Sequence, residues 1–124
     1  MRELDVSVIR DAVARLCVAA NTRLPEDVKK AIDEFRSKED WAIAKGVLEQ
    51  IVENYQIAHR ENVPICQDTG MACVFLEVGQ EVHFVGGGLY DAVNEGVRRG
   101  YTEGYLRKSV TPSAGATPAT TPPP

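Results

Sequence analysis

The chain has 124 residues, of which 44% are apolar and 26% are charged, and its formal net charge is −4. These proportions are those of a soluble globular protein, and the length allows one domain with a modest core. Scattered Lys and Arg in an acidic chain exclude the concentrated basic surface that nucleic-acid binding requires. No apolar run approaches the roughly 20 residues of a membrane-spanning helix, and the first residues lack a signal-peptide core. We therefore expect a cytoplasmic protein without nucleic-acid or membrane partners.

The first forty residues predict two helices. Between Asp5 and Asn21, apolar residues recur at intervals of three and four, and Cys17 lies on the resulting apolar face. The sequence LPED at 24–27 is typical of a second helix start, with proline in the first turn and acids at the positive end of the helix dipole. The residues of this second helix that we expect to face inward are Val28, Ile32 and Phe35.

A third helix and a β-hairpin follow along the chain. An apolar repeat over residues 41–58, beginning at Trp41, predicts the helix, and Pro64 ends it because the residue before a proline disfavours helical backbone. Residues 71–78 are nearly all apolar, as in a strand that is buried on both faces. A turn at Gly79-Gln80 can reverse the chain into a second strand over 81–85, so a hairpin is predicted.

The last predicted helix begins after three consecutive glycines at 86–88 and extends to about Tyr101. Because helices precede strands, the pattern favours an α+β fold with about three amino-terminal helices, a β-hairpin and a further helix. We assign residues 1–110 to one domain. Residues 111–124 contain Pro, Thr and Ala without any charge, which predicts a disordered tail.

Cys66 is the strongest candidate for chemistry in the sequence. It lies in a polar loop just before the apolar segment, where a thiolate can reach outward to a metal or a substrate. Packing as a small hydrophobic residue is the alternative, and the local pattern leaves the two equally open. Asp68 can act as an acid or base, or it can bond its own backbone in the turn that leads to Gly70.

The remaining candidate ligands fit structural roles better. Cys17 lies on the apolar face of a helix and Cys73 inside an apolar strand, so both are predicted to be packed. His59 and His83 have no cysteine or carboxylate at a ligand-like spacing, and they are predicted to be surface or structural residues.

Three segments together resemble the alpha subunit of the two-subunit, iron-sulfur (class I) fumarases and tartrate dehydratases. They are AANTRLP at 19–25, NVPICQDTGMACVFLEVGQEV at 62–82 and NEGVRRGYTEGYLRKSV at 94–110. The resemblance implies a hydro-lyase that interconverts fumarate and malate, with L-tartrate dehydration as the alternative. It also implies a small dicarboxylic acid as substrate and a separate beta subunit as partner.

The resemblance also implies the roles of four residues in this motif-rich part of the chain. Cys66 corresponds to one of three cysteines that hold a [4Fe-4S] cluster, whose open iron acts as a Lewis acid on the departing hydroxide. Gln67, Asp68 and Arg107 correspond to substrate-binding residues, and Asp68 is the candidate for catalytic proton transfer at the leaving oxygen. A guanidinium pairs with a carboxylate through two parallel hydrogen bonds, which suits Arg107.

The resemblance covers only part of the family's alpha subunit, which is more than twice as long and carries its other two cluster cysteines downstream. We therefore expect an amino-terminal, truncated portion that is inactive alone. A one-base shift near Val110 can restore the family's pattern, so we interpret 111–124 as a frameshifted continuation. A module of another class, catalytically inactive and binding only a partner subunit, is the alternative.

Overall fold

The computed structural model describes residues 1–68 and 70–108, which form four helices and two short strands. Their order is β1 (Arg2–Asp5), α1 (Val6–Thr22), α2 (Glu26–Lys38), α3 (Ala42–Glu61), β2 (Val82–Val85) and α4 (Leu89–Glu103). The α+β class and all four predicted helices are confirmed. None of the helices in this part of the chain is long and apolar enough to cross a membrane. The predicted tail at 111–124 lies outside the described residues.

Local sequence explains how α1 begins and how α3 ends. The carboxylate of Asp5 accepts a hydrogen bond from the N–H of Ser7 at 2.8 Å, which satisfies a free donor in the first turn of α1. Hydrogen bonds from the Ser7 hydroxyl and, to a smaller extent, from its N–H lower the pKa of Asp5. At the end of α3, Asn62 takes a left-handed backbone with φ of 54° and donates to the Ala58 carbonyl, two residues before Pro64.

The core lies between α1 and α4, whose backbones approach closely at two glycines of α4. A Cβ on Gly96 would lie 2.5 Å from the carbonyl oxygen of Arg10, and one on Gly100 would lie 2.7 Å from the Cβ of Cys17. A larger residue at either position would force the helices apart. The buried residues of this core are Val13, Cys17, Tyr101 and Leu106.

The two strands pair in parallel, and the predicted β-hairpin is wrong. Arg2 lies opposite Val82, and Asp5 lies opposite Val85. Residues 71–78, the predicted first strand of the hairpin, have no regular secondary structure. A strand with apolar side chains on both faces is stable only when other elements pack against both of those faces. In the described chain Ala72 packs against the core while Phe75 is 94% exposed, so that cover is incomplete.

Of the three residues of α2 predicted to face inward, Val28 and Phe35 are exposed and Ile32 is half-buried, so the prediction is wrong for two of them. Val28 is 39% exposed and Phe35 is 67% exposed, and Trp41, just before α3, is 64% exposed. Further along α3 the apolar face is buried, for example at Val52 and Ala58. The period of a helix identifies its apolar face but not the element that covers it. In the described chain α2 packs mainly on α3, and the part of the apolar face of α2 that α3 does not cover stays in water.

Candidate active site

The loop that follows α3 carries the predicted site residues 66–68, and two helices hold it at Ile65. The N–H of Ile65 donates to the carbonyl of Asn21 in the last turn of α1 at 2.9 Å. The side-chain amide of Asn54, on α3, donates to the carbonyl of Ile65 at 2.8 Å. Both backbone groups of the residue before Cys66 are therefore fixed by neighbouring helices.

The three predicted residues of the loop, Cys66, Gln67 and Asp68, are all exposed. The thiol of Cys66 donates a weak hydrogen bond to the carbonyl oxygen of Asp68 at 3.4 Å, which curls the loop around its tip. Cys66 is therefore not packed in the core of the described chain. Its sulfur reaches solvent, where a thiolate can bind a metal ion.

Tyr101 connects this loop to the segment that carries Arg107. Its hydroxyl donates to the carbonyl of Gly70 at 3.2 Å, and its own carbonyl accepts the N–H of Leu106 at 3.0 Å. Asp68 lies two residues before Gly70, and Arg107 directly follows Leu106. One buried residue of α4 thus holds both segments that carry the predicted carboxylate and guanidinium. The sequence pattern does not indicate this role, since it identifies Tyr101 only as the end of a helix.

Burial raises the pKa of Tyr101, and the nearby thiols of Cys17 and Cys73 raise it further. The phenol therefore keeps its proton and remains a hydrogen-bond donor at neutral pH. Burial likewise raises the pKa of the Cys17 thiol, which agrees with its predicted packing. The prediction that Cys73 is packed is wrong, because its segment is not covered and the residue is exposed.

The described residues fit one ligand of an iron-sulfur cluster and do not fit a complete cluster site. A cluster needs several thiolates that converge on it. Within residues 1–68 and 70–108, no three side chains of His, Cys, Asp or Glu are grouped to hold a metal. Cys17 lies in the core, which leaves Cys66 as the exposed thiol of the loop. His59 on α3 and His83 on β2 are exposed, as expected of surface residues.

The arginines of α4 are engaged in ion pairs and are poor candidates for substrate binding. Arg98 Nε lies 2.7 Å from Glu95 Oε2, and Arg99 Nε lies 3.0 Å from Glu95 Oε1. These hydrogen bonds lower the pKa of Glu95 to about 2. Arg99 also approaches Asp11 of α1 at 3.5 Å, so this cluster joins the two core helices.

A sequence model of the fumarate hydratase (fumerase) family matches residues 10–121. The chain belongs to this family. It is 40% identical over 103 residues to the putative L(+)-tartrate dehydratase subunit alpha of Methanocaldococcus jannaschii, a match that covers 82% of this chain and 36% of that protein. It is 30% identical over 81 residues to the L(+)-tartrate dehydratase subunit alpha of Escherichia coli K12, covering 65% and 27% respectively.

These comparisons confirm the family that the three sequence segments predict. They also show that the chain spans 36% or less of the length of these two relatives.

Proposed function

We propose that the chain is the amino-terminal part of the alpha subunit of a hydro-lyase that adds water reversibly to fumarate to give malate. Membership of the fumarate hydratase family supports the reaction class. The observation that supports the proposal for the site is the pair of hydrogen bonds by which Gly70, near Asp68, and Leu106, beside Arg107, both contact Tyr101. A carboxylate and a guanidinium on these segments suit a substrate that has two carboxylate groups and one hydroxyl group.

Three side chains of this chain bind and orient the substrate in our proposal. Arg107 pairs with one substrate carboxylate through two parallel hydrogen bonds. Gln67 offers an amide that can donate to the substrate and accept from its hydroxyl. In the dehydration direction Asp68 donates a proton to the hydroxyl oxygen as the C–O bond breaks and water leaves, while the proton on the neighbouring carbon passes to a base that we assign to the partner subunit. In hydration both proton transfers are reversed.

Cys66 is the residue that we propose as a ligand of a [4Fe-4S] cluster. Its exposed thiol supports this role, while the described residues lack the other ligands. Those ligands must come from parts of the family protein outside this chain, so we expect the chain alone to be inactive. The words "subunit alpha" in the relatives' names support a beta subunit as a second partner. Unpaired cysteines support a reducing, cytoplasmic location.

Dehydration of L-tartrate is the second candidate activity, because both relatives carry that name. The two substrate classes present similar carboxylates, so Arg107 serves either. A module without activity that binds only a partner subunit is the candidate of another class. The lack of a three-ligand group among the described residues supports it.

The proposal can be tested by co-expressing the chain, under anaerobic conditions, with a beta subunit and the rest of the M. jannaschii alpha subunit. We expect hydration of fumarate or dehydration of L-tartrate with the wild-type chain and with Glu53→Gln, at an exposed residue of α3 outside the proposed site. Cys66→Ser should abolish activity. Arg107→Met should lower kcat/KM at least about a hundredfold, as expected when one partner of a desolvated charge pair is removed.

Two results would contradict this assignment. Full activity with Cys66→Ser would show that Cys66 is not part of the active site. A stoichiometric cluster on the 124-residue chain alone, measured by visible absorption after addition of iron and sulfide, would show that the chain supplies all the ligands itself.

A further inference from the structure

Two of the three cysteines of the chain line the same groove. The groove has a volume of about 310 Å³ and lies between α1 and residues 71–75, with Tyr101 of α4 as a further wall. Cys17 lines it from the α1 side and Cys73 from the other. Cys66 is not among the residues that line it. The fold therefore brings two thiols to one groove, apart from the loop that carries the candidate site.

The residues just before Cys73 are held against the core that contains Cys17. Ala72 packs on the cluster of buried residues to which Cys17 and Tyr101 belong. Two residues earlier, the Gly70 carbonyl accepts a hydrogen bond from the Tyr101 hydroxyl at 3.2 Å. Burial raises the pKa of Tyr101, and both thiols raise it further because both lie close to its phenol. The two cysteines are thus neighbours in space, although α2 and α3 separate them in the sequence.

The two thiols differ in their access to solvent. Cys73 is exposed, whereas Cys17 is 9% exposed and burial raises the pKa of its thiol. A disulfide forms by attack of a thiolate, so the accessible cysteine reacts first with an oxidant from solvent. Reversible oxidation sites combine such an exposed cysteine with a second, resolving cysteine next to it. Cys73 and Cys17 fit these two roles in that order.

The segment that carries Cys73 is free to adopt the geometry of a disulfide, which requires Cα atoms about 4.4–6.8 Å apart. Residues 71–78 have no regular secondary structure, and no backbone hydrogen bond joins them to another backbone group of residues 1–68 and 70–108. Cys17, in contrast, is fixed in α1, where a Cβ on Gly100 would lie 2.7 Å from its own Cβ. Adjustment of the Cys73 segment alone can therefore close the bond.

We propose that Cys17 and Cys73 form a reversible disulfide when the chain meets a low-molecular-weight disulfide such as glutathione disulfide. The Cys73 thiolate attacks one sulfur of this oxidant, forms a mixed disulfide and releases one glutathione thiolate. The Cys17 thiolate then attacks Cys73 Sγ and releases the second glutathione thiolate. The protein thiols lose two electrons and two protons, and glutathione disulfide takes up both to become two thiols.

The bond ties the chain that follows the candidate-site loop to α1. Cys73 lies three residues after Gly70, so a covalent anchor is added beside the hydrogen bond from Tyr101. In a reducing compartment such bonds are transient and report the redox state. The inference needs neither a cluster nor hydro-lyase activity, and it stands apart from the proposed function.

The experiment is oxidation of the 124-residue chain with glutathione disulfide, followed by alkylation of free thiols, proteolysis and mass spectrometry. We expect two peptides linked through Cys17 and Cys73, which dithiothreitol separates again. Cys17→Ser should instead leave glutathione on Cys73. Cys73→Ser should slow the reaction of Cys17 at least about tenfold, because the remaining thiol is buried. The matched control is Cys66→Ser, which should form the same linked peptides at the wild-type rate.

Unfolding in urea provides a second measurement, because it should change which cysteine Cys73 selects. The entropic cost of closing a loop rises with its length, so the unfolded chain favours the short loop between Cys66 and Cys73. The ratio of Cys17-linked to Cys66-linked Cys73 should therefore fall at least about tenfold on unfolding.

Three results would overturn the proposal. The first is a link between Cys66 and Cys73 as the main product in the folded chain. The second is a folded chain in which Cys73 carries glutathione or stays reduced, without a link to Cys17. The third is an unchanged ratio in urea, which would show that the fold does not bring Cys17 and Cys73 together.

Discussion

The half of the molecule built from α1 and α4 differs from the half built from α2, α3 and residues 71–78. In the first, apolar side chains such as Val13 and Leu106 are buried, and two glycines bring the helix backbones together. In the second, side chains as large as Phe35 and Phe75 lie in water. Both halves carry apolar residues at helical spacing, but only the first has a second helix packed closely along that face. The first half buries its apolar side chains within the described chain, and the second half leaves several of its large ones exposed.

The largest expected effect on stability comes from a leucine-to-alanine substitution in the core, compared with the same substitution at an exposed position. Leu106 is 4% exposed and Leu16 is 65% exposed. Leu106→Ala should lower the free energy of unfolding by about 2–4 kcal/mol, because it removes buried methyl groups and leaves a cavity. Leu16→Ala should change it by less than about 0.5 kcal/mol.

Urea denaturation followed by circular dichroism measures both leucine variants. If Leu106→Ala and Leu16→Ala lowered the free energy of unfolding by similar amounts, the distinction between the buried and the exposed leucine would be contradicted.

A smaller effect is expected at the junction between the core and the candidate site. Tyr101→Phe removes the hydroxyl that donates to the Gly70 carbonyl. The free energy of unfolding should fall by about 1 kcal/mol, and amides near Cys66 should exchange faster as the loop loses its anchor. Tyr105→Phe is the matched control, since Tyr105 is 89% exposed. Identical exchange in the two variants would mean that the hydroxyl does not hold the loop.

The smallest effect concerns the ion pairs that join α1 and α4. The pKa of Glu95 falls from 4.5 to about 2 in the folded chain because Arg98 and Arg99 donate hydrogen bonds to it. A lowered pKa means that the stabilisation is complete above about pH 4.5 and is lost as pH falls toward 2. The midpoint of thermal unfolding should therefore differ between wild type and Glu95→Gln at pH 7, and the two should converge near pH 2.

The control for this pH dependence is Glu53→Gln, at an exposed glutamate of α3 that belongs to none of the ion pairs in the described chain. The midpoint of thermal unfolding of Glu53→Gln should equal that of the wild type at every pH from 7 to 2. A constant difference between wild type and Glu95→Gln from pH 7 to pH 2 would show that the ion pairs do not contribute through their charge.

Helices and their ends were predictable from sequence because their causes are local. The Asp5 cap, the acids after Pro25 and the stop before Pro64 all act within a few residues. Burial was not predictable in the same way. The apolar periods of α1 and α2 look alike, yet Cys17 is buried and Phe35 is exposed, because α1 packs closely on α4 whereas α2 makes only a small contact with α3.

The sheet and the site were harder to predict, because both depend on contacts between residues that are far apart in the sequence. β1 is only four residues long and contains three charged residues, so nothing in its own pattern indicates its pairing with β2. The loop motif identified Cys66, Gln67 and Asp68, and all three prove exposed. The anchor at Tyr101 acts across thirty-one residues, and no local rule could reveal it.

The parallel pairing of β1 with β2 has a consequence for biosynthesis. A ribosome releases β1 and α1 first, but β2 and α4 emerge only after residues 82–103 have been made. During that interval Val6, Val13 and Cys17 have no surface against which to pack. Chains folding from the amino terminus normally bury apolar surface domain by domain. Here the first helix must wait for the last, so the nascent chain exposes its future core and is expected to depend on chaperones until α4 is complete.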